Sequence, residues 1–72
     1  MKKYLLYVRY SLSGLVVYSV ETDDIFHVIG KMHYCSTELI KFFSFVEDTQ
    51  SRRDFWKEQN VEIGECPEKW LM

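Results

Sequence analysis

The chain has 72 residues, 47% of them hydrophobic and 17% aromatic, with a formal net charge of −2 at pH 7. This length predicts one small domain with a limited core, and the apolar content excludes intrinsic disorder. Two cysteines exclude the disulfide framework of a small secreted scaffold, and no apolar run is long enough to span a membrane. We therefore expect a single α+β domain over residues 1–72, located in the cytoplasm, with Cys35 and Cys66 reduced.

Residues 3–21 alternate with period two and predict an antiparallel β-hairpin. Leu12, Ser13 and Gly14 are read as a three-residue loop in which Gly14 supplies a positive φ. In this register Leu6 lies opposite Val20. One face is then wholly apolar and is predicted to be core: Tyr4, Leu6, Val8, Tyr10, Val16, Tyr18 and Val20.

The opposite face of the hairpin mixes charged residues with Leu5, Tyr7, Leu15 and Val17. The simple interpretation is a sheet that covers one core. The alternative is that this second face, which is too apolar for ordinary exposure to solvent, contacts a partner protein.

The middle of the chain is ambiguous between helix and strand. Ile25, Val28, Ile29 and Met32 have helical spacing after a cap at Thr22, so residues 25–34 are predicted to be helical. Residues 39–46 are also predicted to be a helix, although they are rich in strand-forming side chains. If both segments were strands, the fold would be a four-stranded meander with one helix.

A third short helix is predicted to begin at a Ser51 capping box and to end at Asn60. Val61 and Ile63 then indicate a short strand at an edge of the hairpin sheet, and residues 67–72 form an apolar tail. The predicted fold is an N-terminal antiparallel hairpin packed by two or three short helices, with a short C-terminal edge strand.

Few residues are suited to chemistry. The soft metal ligands His27, His33, Cys35 and Cys66 lack the paired short spacing of structural zinc sites. No serine or cysteine has a local catalytic signature, and no glycine-rich phosphate loop occurs. We expect no enzymatic activity, no metal and no cofactor.

Nucleic-acid binding is the alternative function. Lys3, Tyr7 and Arg9 share the second hairpin face, and this mixture of basic and aromatic side chains is typical of single-strand binding. Such proteins carry an excess of basic residues that binds phosphates, whereas this chain has a net charge of −2. The charge therefore argues against nucleic acid.

The tail has two interpretations. Trp70 either folds back onto the core of this chain or joins Trp56 in an exposed patch with an acidic rim that binds a basic partner surface. In both cases the Trp70-Leu71-Met72 segment is too apolar to be left in water.

The leading hypothesis is a non-enzymatic protein-binding module that docks on a partner protein or forms a homodimer, without membrane contact. In size, aromatic content and lack of motifs the chain resembles the small accessory proteins that phages and mobile elements encode, a resemblance that implies no residue roles. Tyrosine and tryptophan are enriched among interface hot spots. The candidate partner-binding residues are Tyr7, Arg9, Val17, Trp56, Trp70 and Leu71.

Overall fold

Four strands form one mixed sheet in the computed structural model, which describes residues 1–72. The elements in chain order are β1 (Lys2–Tyr10), β2 (Gly14–Thr22), α1 (Ile25–Cys35), β3 (Ile40–Glu47), α2 (Gln50–Glu58), β4 (Ile63–Glu65) and a 3-10 helix (Glu68–Trp70). The strand order is β3-β1-β2-β4. Strand β1 pairs antiparallel with β2 and β3, and β4 runs parallel to β2. The α+β class and the N-terminal hairpin are confirmed.

The hairpin has the predicted faces, but its register differs from the predicted one by two residues. Leu6 lies opposite Tyr18 rather than Val20, and the loop consists of residues 11–13. Gly14 has the expected positive φ, 77°, at the first position of β2. Because the difference is an even number of residues, every side chain keeps its predicted face.

The hairpin loop has a hydrogen-bond partner outside the hairpin. A carboxylate oxygen of Glu38 accepts hydrogen bonds from the backbone N–H groups of Leu12, at 2.7 Å, and Ser13, at 2.9 Å. The hydroxyl of Ser13 donates to the other carboxylate oxygen. Two otherwise unpaired turn amides are satisfied in this way, which a period-two pattern within the hairpin cannot reveal.

Helix α1 lies on the predicted core face of the hairpin. It begins after Asp24, whose carboxylate accepts from the His27 N–H at 3.2 Å, so the N-cap is Asp24 and not Thr22. The predicted helical stripe faces the sheet. The buried core cluster contains Leu6, Val8, Val20, Ile25, Val28, Ile29, Met32 and Trp70.

The helix predicted over residues 39–46 is wrong, since Ile40–Glu47 is strand β3. The other edge of β1 needs hydrogen-bond partners for its backbone, and an aromatic, β-branched segment that follows a short loop supplies them. The helical spacing of Leu39, Phe42, Phe43 and Val46 is therefore coincidental. In the strand, Phe42 and Phe43 point to opposite faces of the sheet.

Helix α2 begins two residues earlier than the predicted capping box at Ser51. Thr49 is its N-cap, with its hydroxyl accepting from the Arg52 N–H at 3.3 Å, and Asn60 ends the helical segment in the left-handed region with φ of 59°. The short strand that follows is β4. As predicted, it lies at an edge of the hairpin sheet, next to β2.

The two α-helices lie on opposite faces of the sheet. The crossover through α1 runs from β2 to β3, whereas the crossover through α2 runs back across the sheet from β3 to β4. Two crossovers of the same hand in opposite directions must use opposite faces. The second hairpin face is thus covered by the chain itself, and Leu5 and Val17 are both 0% exposed.

Candidate protein-interaction surface

The structure brings together only part of the predicted site. Tyr7 and Arg9 lie on the α2 face of β1, and Trp56 of α2 packs on Tyr7 with ring centroids 5.3 Å apart. Val17 lies on the same face, but it is fully buried beneath the helix layer. It therefore belongs to the interior of the chain and not to a surface.

Trp70 lies on the other face of the sheet, so the predicted patch containing both tryptophans is wrong. Its ring is 4% exposed and packs against Tyr18 with centroids 4.8 Å apart. Of the two interpretations of the tail, the structure has the one in which Trp70 folds back onto the core. Leu71 follows it and remains 44% exposed, but it makes no aromatic contact and does not join the contact between Trp56 and Tyr7.

Four rings in contact form the most extensive aromatic surface on the α2 face. The ring centroids are 6.2 Å apart between Phe42 and Tyr7, 5.3 Å between Tyr7 and Trp56, and 5.0 Å between Trp56 and Phe55. The two outer rings are open to solvent, with Phe42 55% and Phe55 51% exposed. We call these four residues the aromatic strip.

Phe42 and Phe55 were not among the predicted site residues. The helix predicted over residues 39–46 does not place Phe42 beside Tyr7, whereas strand β3 directs its alternate side chains toward α2. Phe55 and Trp56 are the two apolar side chains of α2. The signal in the sequence that could have identified Phe55 is the pair of adjacent aromatic residues, Phe55 and Trp56, in an otherwise polar helix.

An arginine without an ion pair lies near each end of the strip. Arg9 is exposed and stands directly opposite Phe42 in the β1–β3 register. Arg52 is exposed on α2, three residues before Phe55 and hence on a neighbouring part of the helix surface. By contrast, Arg53 is held by Asp48 through two hydrogen bonds of 2.7 Å.

The histidine and cysteine side chains that could bind a metal or act as nucleophiles do not form a cluster. His27 Nε2 is 2.8 Å from the carbonyl oxygen of Met72, and His33 Nδ1 is 2.9 Å from that of Ile29. Cys35 and Cys66 are free thiols, and burial raises the pKa of Cys66. No group of three His, Cys, Asp or Glu side chains is arranged to hold a metal ion.

Neither helix has the length and apolar character needed to cross a membrane. In comparisons with protein families, curated proteins and solved structures, nothing matches this chain.

Proposed function

We propose that this chain is a non-enzymatic protein-binding module that docks on a partner protein through the aromatic strip. The observation that carries the proposal is the run of four contacting rings whose two ends, Phe42 and Phe55, are each more than half exposed. Contiguous exposed aromatic surface is typical of interaction sites, and Trp and Tyr dominate interface hot spots.

The strip is also suited to binding because its inner rings are already ordered. Tyr7 is fixed in the strand that pairs on both sides, and Trp56 packs on it. Side chains held in this way lose little rotamer freedom when a partner arrives, so more of the contact energy contributes to affinity.

The charges beside the strip favour an acidic partner surface. Arg9 and Arg52 form no salt bridge within the chain, so carboxylates of a partner would meet both ends of the strip. This replaces the expectation of a basic partner, which depended on an acidic rim around two neighbouring tryptophans. Arginine pairs bidentately with carboxylates and adds specificity of orientation.

We place this function in a reducing, cytoplasmic compartment. The support is that Cys35 and Cys66 are both free. Binding of a larger protein also agrees with the resemblance in size and aromatic content to small accessory proteins of phages and mobile elements.

The test uses Phe55→Ser, with Leu12→Ser as its matched control. Leu12 is 88% exposed in the hairpin loop and is not one of the four rings, so both variants remove one exposed apolar side chain. Proteins retained from a lysate by the wild type and by Leu12→Ser should be lost with Phe55→Ser. With the purified partner, titration calorimetry should show the affinity falling by roughly tenfold or more.

Equal retention by Phe55→Ser and the wild type would contradict the assignment of the strip. Thermal unfolding curves of the variants show whether a loss of binding results from a loss of folded protein. Phe55 is half exposed, so its replacement should leave the melting temperature nearly unchanged.

Single-stranded nucleic acid is the second candidate for the same strip, because Arg9 lies beside Phe42 as a phosphate contact would lie beside a stacking ring. A net charge of −2 favours the protein partner. Quenching of Trp56 fluorescence by an oligothymidine distinguishes the two. Submicromolar binding that weakens steeply with salt would support nucleic acid, and no binding at physiological salt is expected.

A further inference from the structure

Strand β3 is an edge strand whose outer side has no partner. Its N–H and C=O groups alternate between β1 and the outside, and the phase is set by the Asp48 N–H, which donates to the Lys3 carbonyl at 3.0 Å. Ser44 therefore bonds to β1, whereas the backbones of Phe43, Phe45 and Glu47 are directed outward.

This edge lacks the protection that natural edge strands usually carry. Residues 42–47 pair regularly with β1, and the one irregularity lies beyond them, opposite Arg9 and Tyr10. The segment contains no proline and no charged residue between Lys41 and Glu47. A long, regular, aromatic edge is a template for pairing with another strand.

We propose that two copies of this chain pair their β3 strands antiparallel, about a two-fold axis at Ser44, to form one continuous sheet. The dimer uses the backbone edge of β3, whereas the aromatic strip uses side chains on the α2 face. Phe42 belongs to both, since in this register it lies opposite Val46 of the second copy. The second copy is favoured over an unrelated strand because the β3 sequence is complementary to itself in one particular register.

Every register whose two-fold axis passes through a residue of β3 is compatible with the outward hydrogen-bonding groups. Centred on Ser44, the pairing places Lys41 opposite Glu47 of the second copy at both ends, and Phe43 opposite Phe45 twice. Centred on Phe43, it places Lys41 opposite Phe45. Centred on Phe45, it places Glu47 opposite Phe43. Only the Ser44 register pairs the two charges with each other and the aromatic rings with each other.

The exposed surface next to the edge fits the same arrangement. On the α1 face, Phe26 packs edge-on against Phe45 with centroids 5.7 Å apart, yet remains 72% exposed. His33 packs against Phe43 with centroids 5.0 Å apart. A two-fold axis normal to the sheet keeps both α1 helices on one face, so Phe43 and His33 of the second copy would cover Phe26.

The first test is a charge exchange measured by sedimentation equilibrium of the full chain. Lys41→Glu and Glu47→Lys each place like charges opposite one another at two symmetric positions, and each should weaken dimerisation by about tenfold. The double variant Lys41→Glu/Glu47→Lys restores opposite charges and should restore the wild-type dissociation constant.

At a concentration of about 1 mM even a very weak dimer would be detected. A wild type that remains monomeric there would overturn the proposal and would favour an extended segment of another protein as the partner of this edge. A dimer that is insensitive to both single variants, or not restored by the double variant, would overturn the register. Phe55→Ser should dimerise like the wild type, so failure of the dimer and failure of strip binding are distinguishable.

The second test locates the axis. Residues at a non-hydrogen-bonded antiparallel pair have Cα atoms about 4.5 Å apart, within the range of a disulfide. Ser44→Cys should therefore form a cross-linked dimer when diamide accepts the two thiol hydrogens, with the 44–44 peptide identified by mass spectrometry. Ser11→Cys, at the distant hairpin loop, and the native Cys35 and Cys66 should not. A Ser11→Cys cross-link as abundant as that of Ser44→Cys would contradict the axis.

Discussion

At the scale of single residues, two carboxylates connect segments that the backbone alone would leave loose. Glu38 holds the hairpin loop, and the hydrogen bond from the Ser13 hydroxyl lowers its pKa. Asp48 accepts both hydrogen bonds from the Arg53 guanidinium, which lowers the pKa of Asp48 and raises that of Arg53. The second pair joins the end of β3 to the first turn of α2.

Asp48→Asn should destabilise the protein at pH 7 and should do so less as the pH falls. A lowered folded-state pKa contributes stability that is fully present above the unfolded pKa of aspartate, about 3.9, and is lost as the pH falls through the folded pKa. The Arg53 side chain is 42% exposed, so solvent screening limits the effect to about 1 kcal/mol at pH 7. Urea unfolding of both proteins between pH 7 and pH 2.5 measures it.

The free-energy difference between wild type and Asp48→Asn should shrink below about pH 4. A difference that stays constant over this range would show that the ionised carboxylate of Asp48 does not stabilise the fold. Glu58→Gln is the control, because Glu58 is exposed and forms no salt bridge.

At the scale of elements, the C-terminal segment completes the core instead of extending from it. Pro67 precedes a 3-10 turn in which the Trp70 N–H donates to the Pro67 carbonyl at 3.0 Å. This turn lays the indole across Tyr18 and the open end of the α1 layer. The indole Nε1 has no hydrogen-bond partner, so apolar packing is what holds the ring.

Trp70→Ala should destabilise the protein by about 3 to 5 kcal/mol, a large part of the stability of a small domain. Trp70→Phe should cost much less, because it keeps a ring against Tyr18 and removes the unpaired donor. Leu71→Ala is the matched control at an exposed position. Chemical unfolding measures all three, and equal small effects at Trp70 and Leu71 would argue against the buried tail.

At the scale of the whole molecule, the two layers on the sheet are unequal. The α1 side contains eight of the ten buried residues, whereas α2 buries none of its residues and covers the sheet through Trp56. Local opening costs least where few apolar contacts are made. The layer that carries much of the proposed binding surface is thus also the less firmly attached one.

The rate of amide hydrogen exchange should therefore differ between the elements in a definite order. The backbone of β1 is paired on both sides and should exchange slowest, followed by α1, whereas α2 should exchange through local opening at lower free energy. Mass spectrometry or NMR at a concentration that keeps the chain monomeric measures this order. Protection of α2 equal to that of α1 would show that the two layers open together.

Much of the local structure could be predicted from the sequence, because its physical causes lie within a few residues. Period-two alternation determines which hairpin residues face the core, and Gly14 with φ of 77° supplies the turn conformation. The helical stripe of α1 and the turn at Asn60 follow from equally local rules. These features hold even though the hairpin register differed by two residues.

Only the tertiary structure decided the rest, because each outcome depends on a partner distant in sequence. Residues 40–47 become a strand because the free edge of β1 requires hydrogen bonds, whatever helical spacing their side chains show. In the observed hairpin register, the loop amides of Leu12 and Ser13 donate hydrogen bonds to Glu38, which lies outside the hairpin. The aromatic strip exists because opposite crossovers bring α2 across the sheet onto Tyr7, a contact between segments almost fifty residues apart.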